Sequence, residues 1–364
     1  MADRKNQHFV PRCLLKPFTL KREGHAINTY ILGAGRHIPN APAKGQCAKT
    51  YFYGEDLKAE TALSGLEGRF ARILSMLEKG CQLSPSDDDW LRLFTVLQTR
   101  RTEKAVAETA KATEDLMDTI YRKHPEQRPE SLTRKQLIAL SMSGGLAMHD
   151  YSGDLKFIVL RNKTTVDFIL SDNPAVMTNR WAFERLKDDS FGMSNSGLIL
   201  ALPLTPHLLA YFFDIGIYTV SIPRGTNFVD ITSSADIEAL NHLQCLSAHK
   251  NLYFSNWDQR DYITGLAVAA TPKRESDTHR ITELIRDQSV TGPHEAFRKG
   301  SEEEKAQSQQ FLVMNSFVHP EPSAWPGILK YRPKPVSFNN GSSVGYVRKK
   351  EWLTRRAKVS AGHR

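Results

Sequence analysis

Leu198-Ile199-Leu200-Ala201-Leu202-Pro203-Leu204-Thr205-Pro206-His207-Leu208-Leu209-Ala210-Tyr211-Phe212-Phe213 decides how the chain folds. A membrane helix needs about 18 or more consecutive apolar residues, and Pro203, Pro206, His207 and then Asp214 break this run. What remains is two short apolar segments bounded by turn residues, which fit two strands at 198–202 and 208–213. Upstream, Lys156-Phe157-Ile158-Val159-Leu160 and Asp167-Phe168-Ile169-Leu170 have the same character, so a sheet is expected in the middle third of the chain.

Working outward, the period changes. Leu63, Leu66, Phe70, Ile73, Leu74 and Leu77 recur at three- and four-residue spacing and predict an amphipathic helix over 57–79. Ser84-Pro85-Ser86-Asp87-Asp88-Asp89-Trp90 is a helix start, because its oxygens accept free amides and its carboxylates oppose the positive helix end. That helix is expected to run to Tyr121. Another at 134–149 is expected to be interrupted by Gly144-Gly145. Toward the N-terminus, Pro11 and Pro17 hold 9–18 to an extended or irregular path. Ala26-Ile27-Asn28-Thr29-Tyr30-Ile31-Leu32 with Gly33 and Gly35 predicts a hairpin or meander that ends at Tyr51-Phe52-Tyr53. A helix at 236–249, a short strand at Leu252-Tyr253-Phe254 and a helix at 277–286 follow, and the chain from 327 reads as irregular. The expected class is α+β, with an N-terminal hairpin or meander, a helical block, and a central, mostly antiparallel sheet with a packed helix.

Of the 364 residues, 40% are apolar and 24% charged, which suits a folded chain rather than a disordered one. The N-terminal residues hold no apolar run followed by a small-residue cleavage site, so a soluble, cytoplasmic protein is expected. Cys13, Cys47, Cys81 and Cys245 lie too far apart for a zinc ligand pattern. The net charge of +9 is local: 321–364 has ten Lys or Arg against Glu321 and Glu351, and so carries eight of those nine charges. A basic tail over 330–358 can hold nucleic-acid phosphates, or can simply be solvated.

No phosphate-binding loop, H-E-x-x-H or G-x-S-x-G motif is present. Polar residues at structured positions are what remains. His8 can act as acid, base or metal ligand, or can be a packed histidine. Asp172 and Asn173 in Leu170-Ser171-Asp172-Asn173-Pro174 stand at a strand end where chemistry is often placed, but the same residues make good turns. Gln98 and Arg101 share a helical face, as do Asn241 and Gln244.

Taken in order, these segments resemble the bacterial domain-of-unknown-function family 4238. The similarity is carried by Gln7-His8-Phe9-Val10-Pro11, Tyr51-Phe52-Tyr53, Glu67, Gln98 with Arg101-Thr102, Phe168 to Pro174, Leu202-Pro203-Leu204-Thr205-Pro206 and Leu240-Asn241-His242-Leu243-Gln244. It covers roughly 6–256 and implies one core domain, with a helical subregion at 57–150 and a sheet subregion at 151–256. A helical extension over 257–325 and a basic, irregular tail over 326–364 would lie beyond it. The resemblance supplies no reaction, but it implies that His8, Glu67, Gln98, Arg101, Asp172, Asn173 and Asn241 belong to one pattern.

Two functions are open at this point. One is a phosphodiester hydrolase, nuclease-like and suited to antiviral defence or toxicity. In it His8, Glu67, Asp172 and Asn173 would be catalytic, Gln98, Arg101, Asn241 and Gln244 would hold substrate, and Mg²⁺ or Mn²⁺ would assist. The other is a non-catalytic module binding a nucleotide, peptide or protein, in which the same polar residues form a structural hydrogen-bond network.

Overall fold

A computed structural model describes residues 5–274, 278–287, 289, 297–308, 311–341 and 344–353. The chain opens with β1 (Asn6–His8), α1 (Arg12–Leu15), the hairpin β2 (Ala26–Ile31) and β3 (Arg36–Pro42), and β4 (Ala48–Thr50). The N-terminal hairpin is present, but β4 pairs with β1 and Tyr51-Phe52-Tyr53 is a turn. The helical block is α2 (Lys58–Glu78), α3 (Pro85–Gln98), α4 (Glu103–Ile120) and α5 (Arg134–His149). It leads to β5 (Lys156–Asn162), β6 (Leu170–Ser171), β7 (Val176–Thr178), β8 (Ile199–Thr205), β9 (Leu208–Phe213), β10 (Tyr218–Thr219), β11 (Phe228–Ile231), α6 (Ser234–Ser247) and β12 (Asn251–Phe254).

The central sheet has the order β11-β5-β9-β8-β7 and is antiparallel except where β11 meets β5. Every residue of β8 and β9 is buried, which is why they read as continuous apolar runs rather than alternating ones. Phe157, Val159, Leu200, Leu202, Ala210 and Phe212 pack toward the helical block, in one cluster with Phe70, Phe94 and Leu97. Ile158, Leu160, Ile199, Ala201, Leu209 and Tyr211 face the other way, onto Ile237, Leu240 and Leu243 of α6. A second sheet, β3-β2-β12-β6, joins the N-terminal hairpin to the sheet subregion.

Three expectations are corrected. The helix expected over 84–121 is two helices. The chain turns at Thr99–Thr102, where Thr102 is extended and its hydroxyl accepts the Ala105 amide at 3.3 Å. The break brings Arg100, Arg101 and Thr102 inside, which local propensity does not foresee. In contrast, α5 runs unbroken through Gly144-Gly145. A Cβ on Gly145 would lie 3.1 Å from the Arg100 Cβ, so that glycine lets α5 approach the end of α3. Third, 278–286 is not helical; Asp277 lies outside the described residues.

Beyond the core the chain forms α7 (Arg260–Arg274), β13 (His279–Arg286), β14 (Phe297–Lys299), α8 (Glu302–Gln307), β15 (Phe311–Phe317) and β16 (Lys330–Tyr331). The 257–325 region is therefore a helix followed by a three-stranded sheet ordered β14-β13-β15. Pairing of β13 with β15 along 279–285 overrides the local helical pattern of Thr282-Glu283-Leu284-Ile285-Arg286.

The described part of the basic tail is docked rather than free. Arg348 is 7% exposed, pairs with Asp154 at 2.9 and 3.1 Å, and donates to the carbonyls of Met193, Asn195 and Tyr151. Arg332 donates to the Ile215 carbonyl. Arg355, Arg356, Lys358 and Arg364 lie outside the described residues. Arg348→Met should cost about 3–5 kcal/mol, because it strands the Asp154 carboxylate and buried carbonyls. Lys350→Ala, at an exposed position, should stay within about 0.5 kcal/mol. Urea denaturation of the two variants distinguishes a docked tail from a solvated one.

Candidate functional site

The residues singled out in the sequence fall into two networks. The first forms around Arg101, which is 1% exposed at the turn between α3 and α4. Its Nε donates to the Tyr53 hydroxyl at 3.0 Å, and its Nη2 to the His8 carbonyl at 3.1 Å and the Glu67 Oε1 at 2.7 Å. Tyr53 donates to the same His8 carbonyl, Gln7 bridges Gly54 and the Tyr53 amide, and Gln98 donates to the Phe9 carbonyl at 2.9 Å. The segment from Gln7 to Phe9 is thus held through the side chain of Gln7 and the backbone carbonyls of His8 and Phe9. Burial alone would lower the Arg101 guanidinium, but Tyr53 and Glu67 raise it above its ordinary value. His8 is held at about 4, by burial first and then by Arg12 and Arg101, with the Lys44 carbonyl opposing.

The second network covers the buried free edge of β6. One side of β6 pairs with β12; the other is met by two amide side chains of α6. Asn241 accepts from the Ile169 amide at 3.0 Å and donates to the Asp167 carbonyl at 2.8 Å. One turn on, Gln244 accepts from Ser171 and donates to the Pro174 carbonyl at 2.8 Å. These amides take the part of a missing strand, satisfying backbone groups that would otherwise be buried unpaired. They also explain why the strand expected over 167–170 contributes only Leu170 and Ser171 to a ladder.

Asp172 closes the turn after α6: its Oδ1 accepts from the His249 amide at 2.7 Å and its Oδ2 from the Lys250 and Asn251 amides at 2.8 and 3.1 Å. Burial raises its carboxyl above the usual range in spite of these amides. Asn173 donates to Ser247 and accepts from the Thr102 hydroxyl at 2.6 Å. Thr102, next to Arg101, is therefore the link between the networks. His8, Glu67, Gln98 and Arg101 come together, as do Asp172, Asn173, Asn241 and Gln244. Among the described residues no hydrogen bond or ion pair joins Asp172 to His8 or Arg101, and no group of three or more His, Cys, Asp or Glu stands close enough to hold a metal.

Beside Asn173 lies a cleft of about 100 Å³ between the start of α4, the end of α6, the segment Asn173–Thr178 and the strand end at Phe317–Pro320. Lys104 donates to the Ser247 carbonyl at 2.9 Å and stands 3.9 Å from Glu108. Arg100 lays its guanidinium over the Phe317 ring, 4.4 Å from the centroid. His319 stacks on Phe191 and is held at about 4 by burial, against its bond to the Phe191 carbonyl. Sequence reasoning missed Arg100, Lys104 and Glu108. In the doublet Arg100-Arg101 it chose the second arginine, and nothing local marks the first as a cleft residue.

Asp172→Ala takes the acceptor from three part-buried amides, at about 1–3 kcal/mol for each that water does not reach. A loss of at least about 3 kcal/mol is expected by urea denaturation, and one below about 1 kcal/mol would contradict the assignment. The unfolded chain protonates histidine near pH 6.5, whereas folded His8 and His319 titrate at about 4. The unfolded state binds more protons between those values, so this stability is complete above about pH 6.5 and lost toward about pH 4. His8→Gln combined with His319→Gln should flatten the decline in melting temperature over that interval; an unchanged slope would refute it.

A family model described as "Protein of unknown function (DUF4238)" matches residues 6–258. No curated protein and no solved structure matches the chain. The matched stretch contains Gln7, both networks and the end of α6, while Phe317 and His319 lie beyond it; the chain belongs to the DUF4238 family.

Proposed function

We propose that the protein is a non-catalytic binding module whose ligand seats in the cleft beside Asn173. The supporting observation is where the polar atoms are spent. Both oxygens of Asp172 and both ends of the Asn241 and Gln244 amides serve backbone groups of the protein itself. Residues so committed hold shape; they are not aimed at a reacting atom. A phosphodiester hydrolase built on His8, Asp172 and Arg101 needs the three at one centre, and their division between two networks gives that reading less support. In the tail, Arg348 is engaged with the body and so lends less support to nucleic-acid binding. Among the described residues no helix is long and apolar enough to cross a membrane.

A thermal-shift screen of small metabolites against the full chain should give at least one saturable stabilisation, abolished by Val318→Trp, which adds bulk at the cleft lining. RNA and DNA should survive incubation with the protein in Mg²⁺ or Mn²⁺. Nucleic-acid cleavage that a folded Asp172→Asn variant loses would sink the proposal. So would a screen in which no response depends on Val318→Trp.

A further inference from the structure

We infer that the cleft takes a compact oxyanion, the phosphate or carboxylate group of a small ligand, between the Arg100 guanidinium and the Lys104 ammonium. The inference rests on the cleft being the binding site and adds the chemistry of what it binds. Arg100 is 8% exposed, and its stem lies against Gly145. Its face is covered by Phe317, and no hydrogen bond reaches its guanidinium among the described residues. A guanidinium stacked through its face keeps its N–H groups in the plane, where a phosphate or carboxylate is received in forked geometry. The Arg100 nitrogens are not sealed from solvent, so an anion in the cleft would replace water there with charge-assisted hydrogen bonds.

Charge points the same way. Of the residues lining the cleft, Arg100 and Lys104 are cations and Glu108 is the one carboxylate. Burial lowers Arg100 and Lys104 and raises Glu108, so each charge is poorly compensated by the others. Lys104 also sits in the first turn of an 18-residue helix, whose positive end adds to the field. Thr178, whose buried hydroxyl has no partner among the described residues, is a further member of the wall.

Size limits the occupant. Pockets that enclose a whole drug-sized ligand run to roughly 300–1,000 Å³, and this cleft of about 100 Å³ has room for a head group only. The rest of the ligand must extend out of the cleft. Arg100 and Lys104 belong to the family-matched region, while Phe317, Val318 and Pro320 lie beyond residue 258.

The test is calorimetric titration of the full chain with inorganic phosphate, adenosine monophosphate and succinate, with adenosine as a neutral control. At least one oxyanion should bind, and Lys104→Met should weaken it by about tenfold or more, as expected for loss of one charge-assisted hydrogen bond. Arg100→Gln should do the same; if that variant does not fold, Lys104→Met decides. Phosphate against succinate identifies which oxyanion is preferred. Absence of binding by all three, or binding that a folded Lys104→Met variant leaves unchanged, overturns the inference. If neutral compounds bind in a manner blocked by Val318→Trp while oxyanions do not, the binding module stands and its proposed ligand chemistry falls.

Discussion

Arg101 is the tie on which the arrangement depends. One guanidinium, 1% exposed, gathers the carbonyl of β1, the Tyr53 turn and the Glu67 carboxylate of α2, and it does so from the turn between α3 and α4. Arg101 is enclosed while Glu67 keeps 28% of its side chain in solvent, so losing the pair costs mainly through the guanidinium left behind. The interaction therefore acts mainly as a specification. Any other way of setting the N-terminal strand against the helical block would leave a charge buried alone. It also fixes the positions of its two neighbours: Thr102 faces Asn173, and Arg100 crosses toward Phe317.

The parts of the fold that were legible in the sequence are those where burial and period agree. In α2 one face is buried at helical spacing, and β8 and β9 are covered on both sides, so the residue pattern and the packing carry the same information. Where distant partners decide, the sequence is silent. Nothing near Arg100 says that Gly145 will make room for it, and nothing near His279 says that β15 will pair with it. The candidate residues were legible as a set because polar groups at buried positions are unusual. Their use was not, because Asp172 serving three amides and Asp172 serving a substrate look identical in one dimension.

The amides of Asn241 and Gln244 show how a helix can finish a sheet. Their spacing of one helical turn matches alternate backbone groups on the facing strand, so a short edge is satisfied without a further strand. Beside it Asn173 ties its turn to Ser247 at the end of α6, and that corner forms one wall of the cleft.

The pairing of Arg348 with Asp154 has a consequence for how the protein is made. The two residues are 194 positions apart, and at roughly 5–20 residues per second the ribosome delivers the second roughly 10–40 s after the first. Throughout that interval Asp154 lacks the guanidinium that pairs with it in the folded chain. The fastening of the central region to the chain around Arg348 is thus a long-range event, made only after the next 194 positions have been synthesised.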